Sequence, residues 1–309
     1  MDLRQGEHTS QMEAPNITIY SNPLVSTWVF DETHRVLFDA GDGVAAMLDS
    51  RIQKIRLVAI THSHRDHCAG LMQLLNLRGP EYGFKAVIPE GSASGRILAN
   101  FLTSFDTRST GKIPWHYISS REDLPILPER HVLRAFETQH YLFGDEVLGR
   151  SLGYHIIRQV DKIKTEYRNL SQSELDTLRR NQGKGNLTET IEDVLFSVTG
   201  DTMRLDPSVF VGSRALLHEC TFLDNEERLG ASDRGRPHTW LDEALCTARD
   251  ARVERLGLYH ISRRYDDEQI IRRVRERCEA LKITIPVSVA LPGKLIENLF
   301  ADAIWTGEE

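Results

Sequence analysis

The sequence predicts an α/β fold in which sheets are covered by helices. Short β-branched runs alternate along it with stretches whose apolar residues recur at helical spacing. Polar residues able to bind a metal also recur immediately after the β-rich runs, where strands end. The chain has 309 residues, enough for a substantial core as one large domain or two small ones.

In chain order, residues 1–16 are polar, lack an apolar signal-like region and are expected to form a frayed, disordered tail. Ile17-Thr18-Ile19-Tyr20 and Ser26-Thr27-Trp28-Val29-Phe30 read as strands separated by an Asn-Pro turn, and Arg35-Val36-Leu37-Phe38 as a short third strand. Val44, Met47, Leu48 and Ile52 predict a helix over residues 42–53. The run from Ile55 to Ile60 reads as a buried strand, and residues 68–77 as a helix burying Leu71, Leu74 and Leu75. A strand at Ala86-Val87-Ile88, a helix over 95–105 and a strand at 132–136 follow. Residues 161–191 are polar and charged, with Ser171 and Glu174 spaced as a capping box, which predicts a helical insertion outside the core. The β pattern returns at 194–198, 215–217 and 256–259, and a helix rich in arginine is expected over 266–281.

The densest chemistry lies in Thr61-His62-Ser63-His64-Arg65-Asp66-His67. His62 and His64 are two residues apart, too close to share a helix face, so a loop must aim them. Imidazoles beside a carboxylate suit Zn²⁺, with Mn²⁺ or Fe as alternatives. Further blocks follow in order: Asp39-Ala40-Gly41-Asp42-Gly43, Thr199-Gly200-Asp201-Thr202, His218-Glu219-Cys220-Thr221-Phe222, Pro237-His238-Thr239 and His260-Ile261-Ser262-Arg263-Arg264-Tyr265. With the H-x-H-x-D-H motif, these resemble the metallo-β-lactamase fold, and within it the ribonuclease Z branch.

The resemblance implies a single domain over 17–305 with an αββα sandwich, two mixed sheets face to face with helices outside. Composition alone does not select that over another α/β fold. The resemblance also implies two zinc ions, one held by His62, His64 and His140, the other by Asp66, His67 and His260, with Asp201 bridging. His131 and His155 are the competing candidates near His140. Metal coordination lowers the pKa of water towards neutrality and so makes a nucleophile available. Asp66, His238 and Glu219 are then the expected catalytic residues, with His238 the general acid and Glu219 orienting it. Ser262 and Arg264 are the expected phosphate contacts, arginine suiting that role through its planar multi-donor head.

The implied activity is a phosphodiesterase of ribonuclease Z type, with precursor tRNA 3′ ends as the leading RNA substrate. A hydrolase of a small phosphodiester, such as a cyclic nucleotide, or of another ester is the alternative; a non-catalytic metal-binding protein is another. Two departures bear on substrate. The family's glycine-rich opening is replaced by Ser21-Asn22-Pro23-Leu24-Val25-Ser26, and the span from His140 to Asp201 lacks a Pro-Gly-Pro element. That span carries Lys162, Lys164, Arg168, Arg179, Arg180 and Lys184, interrupted by Glu166, Glu174 and Asp176, and reads either as an RNA-gripping arm or as a solvated helix.

Hydrophobic content of 40% and charged content of 27% describe an ordinary globular chain, and no apolar stretch is long enough to cross a bilayer. The four cysteines are scattered without a C-x-x-C pair, which fits the reducing cytoplasm. A formal charge of −7 gives no global attraction to nucleic acid, although a local basic stripe would suffice. Monomer and homodimer are both compatible with the sequence. His8, His34 and His116 carry no pattern and are expected at the surface.

Overall fold

The computed structural model describes residues 14–78, 85–105, 114–143, 146–147, 150–182, 184–229 and 237–307. Most of the expected tail lies outside the described residues. Two seven-stranded sheets form the body. The first contains β1 (Ile17–Asn22), β2 (Ser26–Asp31), β3 (Val36–Phe38), β4 (Leu57–Ala59), β5 (Lys85–Pro89) and β6 (Trp115–Ile118). The second contains β7 (Asp123–Ile126), β8 (His131–Glu137), β11 (Leu152–Ile163), β12 (Thr188–Val198), β13 (Ala215–Glu219), β14 (Arg255–Tyr259) and β15 (Val287–Val289). A small separate hairpin, β9 (Leu142–Phe143) and β10 (Glu146–Val147), lies between β8 and β11 in sequence. The last strand, β16 (Leu295–Ile296), returns to the first sheet beside β1.

Each sheet is part antiparallel and part parallel: β3 to β6 run parallel, as do β12 to β15. Most of the parallel connections carry α-helices, because parallel neighbours need a crossover long enough to contain one; the β12–β13 connection carries a 3-10 turn, Pro207–Phe210. Helices α1 (Val44–Leu48), α2 (Arg65–Cys68), α3 (Leu71–Arg78) and α4 (Ala93–Phe105) serve the first sheet. On the second, α7 (Asn225–Leu229) and α8 (Leu241–Ala251) link β13 to β14, and α9 (Asp267–Ala280) links β14 to β15.

The alternation of side chains along a strand sorts the core into three layers. Ile17, Ile19, Val29 and Phe38 of the first sheet meet Leu133, Tyr154, Phe196 and Leu217 of the second. Trp28, Phe30, Leu37 and Val58 turn the other way, against Val44, Leu71, Leu74 and Ala99. Leu216, Leu256 and Leu258 pack on Leu245, Ala248, Ile270 and Val274. Burial on both faces explains why these strands are almost continuously apolar, at about 1.5–3 kcal/mol for each large side chain buried. The result is the αββα sandwich expected from the resemblance.

Several elements differ from expectation in detail. The helix expected over 42–53 breaks after Leu48: Asp49 takes a positive φ of 49°, and a 3-10 turn, Asp49–Lys54, follows. The stretch after the H-x-H pair contains an extra helical turn, α2, ahead of α3. The ends of the 161–191 segment are strand, since β11 and β12 pair from Tyr154↔Val198 to Ile163↔Thr188, with one register shift between Ile156 and Ile157. Between them lie a short 3-10 turn, α5 (Gln172–Gln182) and α6 (Lys184–Leu187), so the helices cap a long hairpin. Both halves of the capping box are present: the backbone N–H of Ser171 donates to Glu174 and the backbone N–H of Glu174 to Ser171 Oγ. His34 is a correction to the sequence reading. It is buried, with Nδ1 2.7 Å from Asp31 Oδ2, because β2 and β3 close tightly around it.

Candidate metal centre

Strand ends from both sheets meet along one edge of the sandwich and deliver the polar residues there. His62 follows β4 and His64 caps α2, whose first turn carries Asp66 and His67. His140 follows β8, Asp201 follows β12, Glu219 ends β13 and His260 follows β14. Gly200, at φ +65°, brings Asp201 in, and any Cβ there would lie 2.7 Å from Thr61 Cβ. The residue before that aspartate must therefore be glycine on two counts, conformation and space.

All seven expected ligands are brought together. His62, His64, His140 and Asp201 offer ligand atoms that lie within 4.8 Å of one another, and so do Asp66, His67 and His260. Asp201 stands between the groups: Oδ2 is 3.7 Å from His62 Nε2, while Oδ1 is 3.5 Å from His67 Nε2 and 3.4 Å from His260 Nε2. Asp66 Oδ2 lies 3.7 Å from His67 Nε2 and 3.8 Å from His260 Nε2. His131 and His155 lie elsewhere: His131 is on β8 beside His34, and His155 hydrogen-bonds Ser197 on β12.

The hydrogen bonds behind these rings fix which nitrogen each one presents. Thr61 Oγ1 donates to Asp39, so it accepts from His62 Nδ1 at 3.0 Å. His67 Nδ1 donates to Asp39 Oδ2 at 2.7 Å, and His140 Nδ1 to the Pro237 carbonyl at 3.0 Å. Thr221 Oγ1 donates to Glu219, so it accepts from His260 Nδ1 at 3.0 Å. Each of these four imidazoles thus holds a proton on Nδ1 and turns Nε2 towards the centre, a bare lone pair wherever the ring is neutral. Two of those lone pairs, on His62 and His140, face His64 Nδ1 at 3.0 and 3.2 Å, where one N–H could serve only one of them. His67 Nε2, His260 Nε2 and Asp201 Oδ1 are buried with no hydrogen-bond partner. Buried polar atoms are nearly always satisfied, so converging orphan acceptors fit a divalent cation.

Electrostatics divide the donor set: burial would lower His67, but Asp201 and Asp39 hold it well above the usual histidine range, whereas three other rings are lowered. Burial, reinforced by the neighbouring imidazoles, holds His62 well below the usual histidine range, and burial likewise lowers His64 and His140. They stand neutral, the ligating form. Burial would raise the Asp66 carboxyl, but the facing His260 and His67 win and bring it to about 2. Burial would lower His238, yet Glu219 at 3.0 Å carries it up to about 9. Glu219 is fully buried and also accepts from the backbone N–H groups of Thr202, Thr221 and Thr239, so it is a fixed anchor for His238.

Ser262 and Arg264 are linked to each other, Arg264 Nε donating to Ser262 Oγ at 3.1 Å. The guanidinium also pairs with Glu227 at 3.1 Å and lies over the Phe222 ring. Asp39 was not foreseen as a functional residue. Its carboxylate serves both His67 and Thr61, and only its place in the Asp-x-Gly-Asp-Gly block at the end of β3 signalled it. Tyr141 went unnoticed too, and its ring packs 5.1–6.1 Å from those of His62, His64 and His140.

The comparisons with known proteins agree with this architecture. Residues 34–163 match the family described as beta-lactamase superfamily domain. Among curated relatives, the Ribonuclease Z of Metallosphaera sedula is 29% identical over 267 residues, covering 78% of this chain and 83% of that protein. The Ribonuclease Z of Thermococcus sibiricus is 26% identical over 285 residues, covering 81% and 84%. Among solved structures, the short form of human tRNase Z superposes with a TM-score of 0.57 at 17% identity, over 92% of this chain and 99% of that one. A metallo-β-lactamase fold protein from Bacillus subtilis gives a TM-score of 0.58 at 13% identity, over 91% and 99%. Among the described residues no helix is long and apolar enough to cross a membrane. With the His/Asp groups positioned to bind divalent metal, the chain is a metal-dependent hydrolase of the metallo-β-lactamase fold, resembling the ribonuclease Z branch.

Proposed function

We propose that the protein is a dinuclear zinc phosphodiesterase that cleaves RNA in the cytoplasm, with precursor tRNA 3′ ends as its leading substrate. The observation that carries this reading is the pair of converging ligand groups joined by Asp201, with His238 and Glu219 beside them. The ligands would be His62, His64 and His140 for one ion, Asp66, His67 and His260 for the other, and Asp201 for both. The bound ions would supply positive charge at the scissile phosphate and a water acidic enough to attack at neutral pH.

The rest falls to side chains of this chain. His238 Nδ1 is committed to Glu219, which leaves Nε2 to carry a proton to the departing alkoxide. Glu219 orients that ring. Ser262 and Arg264 would contact the phosphate. The exposed Arg264–Glu227 pair is no obstacle, since such surface pairs contribute only about 0–1 kcal/mol and exchange readily for a phosphate. The RNA preference is supported by the ribonuclease Z relatives and by Lys162 and Arg168, both exposed, at the end of β11 and of the 3-10 turn after it.

The deciding experiment is product analysis after incubating metal-loaded protein with a 3′-extended tRNA and, separately, a chromogenic phosphodiester. The expected result is release of the 3′ extension at one position. Turnover of the chromogenic ester alone would replace RNA with a small phosphodiester. Turnover of neither would refute the phosphodiesterase reading.

A further inference from the structure

The turn between β1 and β2 borders the metal centre. The backbone N–H of Leu24 donates to Asp66 Oδ2 at 2.9 Å, across 42 positions of sequence. Covalent geometry then keeps the Leu24 Cβ within about 5.5 Å of that oxygen. The turn is also a rigid fixture. Val25 N–H closes it onto the Asn22 carbonyl at 2.9 Å, and Gly293 N–H reaches the Ser21 carbonyl at 2.9 Å. Ser26 Oγ donates to the Asp42 carbonyl at 2.7 Å, and Ser21 Oγ accepts from the backbone N–H of His260 at 3.0 Å. The β1–β2 hairpin therefore touches both Asp66 and His260.

Leu24 itself runs against two local rules. Its φ is +68°, a left-handed conformation that glycine or asparagine adopts more easily than a branched aliphatic residue. Its side chain is 92% exposed, the highest value among large apolar side chains of the described residues, and Val25 beside it is 44% exposed. Neither local backbone preference nor core packing accounts for leucine here. A strained, solvent-facing apolar residue at the rim of a reactive centre points to contact with a ligand. Next to Asp66 in sequence, Arg65 is exposed; its carbonyl accepts from the Ala69 N–H, and its side chain has no hydrogen bond or ion pair among the described residues. An exposed apolar residue bonded through its backbone to Asp66, and an exposed arginine next to Asp66 in sequence, offer contacts for the two halves of a nucleotide, nucleoside and phosphate.

We infer that Leu24 is a specificity-determining residue, packing against the nucleoside next to the scissile phosphate while Arg65 faces the phosphate. This rests on the phosphodiesterase reading and names the group that the rim of the centre selects. The test compares uridine 5′-monophosphate with methyl phosphate in equilibrium binding to metal-loaded protein, since the two ligands differ only in the nucleoside. Wild-type protein should prefer the nucleotide. Leu24→Asn, which retains the left-handed turn, and Leu24→Gly, which relieves it, should both cut that preference roughly tenfold, the scale of one lost apolar contact. Metal content should hold, and the melting temperature of Leu24→Gly should not fall. An unchanged preference in both variants, or equal weakening of both ligands, would overturn the assignment and leave the turn as a support for Asp66. A wild-type protein that cleaves no phosphodiester yet keeps the nucleotide preference would remove the phosphodiesterase reading and leave the role of Leu24 standing. Equal binding of the two ligands by wild-type protein would overturn that role even if RNA is cut.

Discussion

Asp66 faces His67 and His260 while His238 is held by Glu219, and their substitution is expected to separate metal binding from proton transfer. Asp66 belongs to the group with His67 and His260, and its oxygen is positioned by Leu24 rather than by the first group. Asp66→Ala is expected to empty one of two sites and to leave the His62, His64 and His140 group loaded. Elemental analysis of protein purified without chelator checks this, and a wild-type content of one ion or none would sink the dinuclear model. His238→Ala should keep both ions and lower turnover by roughly 10²–10⁴-fold, the range for losing a general acid. The loss should shrink on a nitrophenyl ester, whose leaving group needs little protonation. An equal loss on both substrates would assign His238 to binding instead.

Two elements carry expectations of their own. At the end of β11 and of the 3-10 turn after it, Lys162 and Arg168 are exposed and Lys164, between them in sequence, is half-buried. Replacing all three with glutamate should abolish tRNA cleavage while small-ester hydrolysis persists, because the metal centre is built at the other end of β11 and β12. The salt dependence of RNA binding should flatten by about one unit of slope per lost phosphate contact. An unaltered slope and affinity would identify the segment as a solvated helix. Lower in β11, His155 is buried against Phe136 and Phe210 with its ring on Ser197. Burial, assisted by the charge of Arg134, brings this imidazole down to about 4. A histidine depressed in the folded state binds its proton more tightly when unfolded, so its contribution is present above about pH 6.5 and is lost as pH falls towards 4. The full effect is on the order of 3 kcal/mol. His155→Gln should flatten the fall in melting temperature over that window, and parallel curves for the two proteins would exclude this residue as a cause of acid sensitivity.

For the whole molecule, the candidate metal centre joins the two sheets, with proposed ligands after β4 and in α2 on one side and after β8, β12 and β14 on the other. Bound metal should therefore stabilise the entire sandwich, by about 2.7 kcal/mol when free metal exceeds Kd a hundredfold. Exhaustive chelation is expected to lower the melting temperature by several degrees, and restored Zn²⁺ to recover it. Identical melting curves with and without chelator would contradict a cation bridging the sheets. The sequence by itself determined the α/β class, most strand positions and the candidate ligands, because β-branched runs and closely spaced histidines are local signals. It did not separate His140 from His131 and His155 on spacing alone, and it missed the break at Asp49 and the burial of His34. Tertiary structure alone decided those points, along with the roles of Asp39 behind His67, Pro237 behind His140 and Leu24 beside Asp66. The physical reason is common to them all. Each depends on hydrogen bonds or packing between segments that only folding brings together, for which no periodicity along the chain encodes a partner.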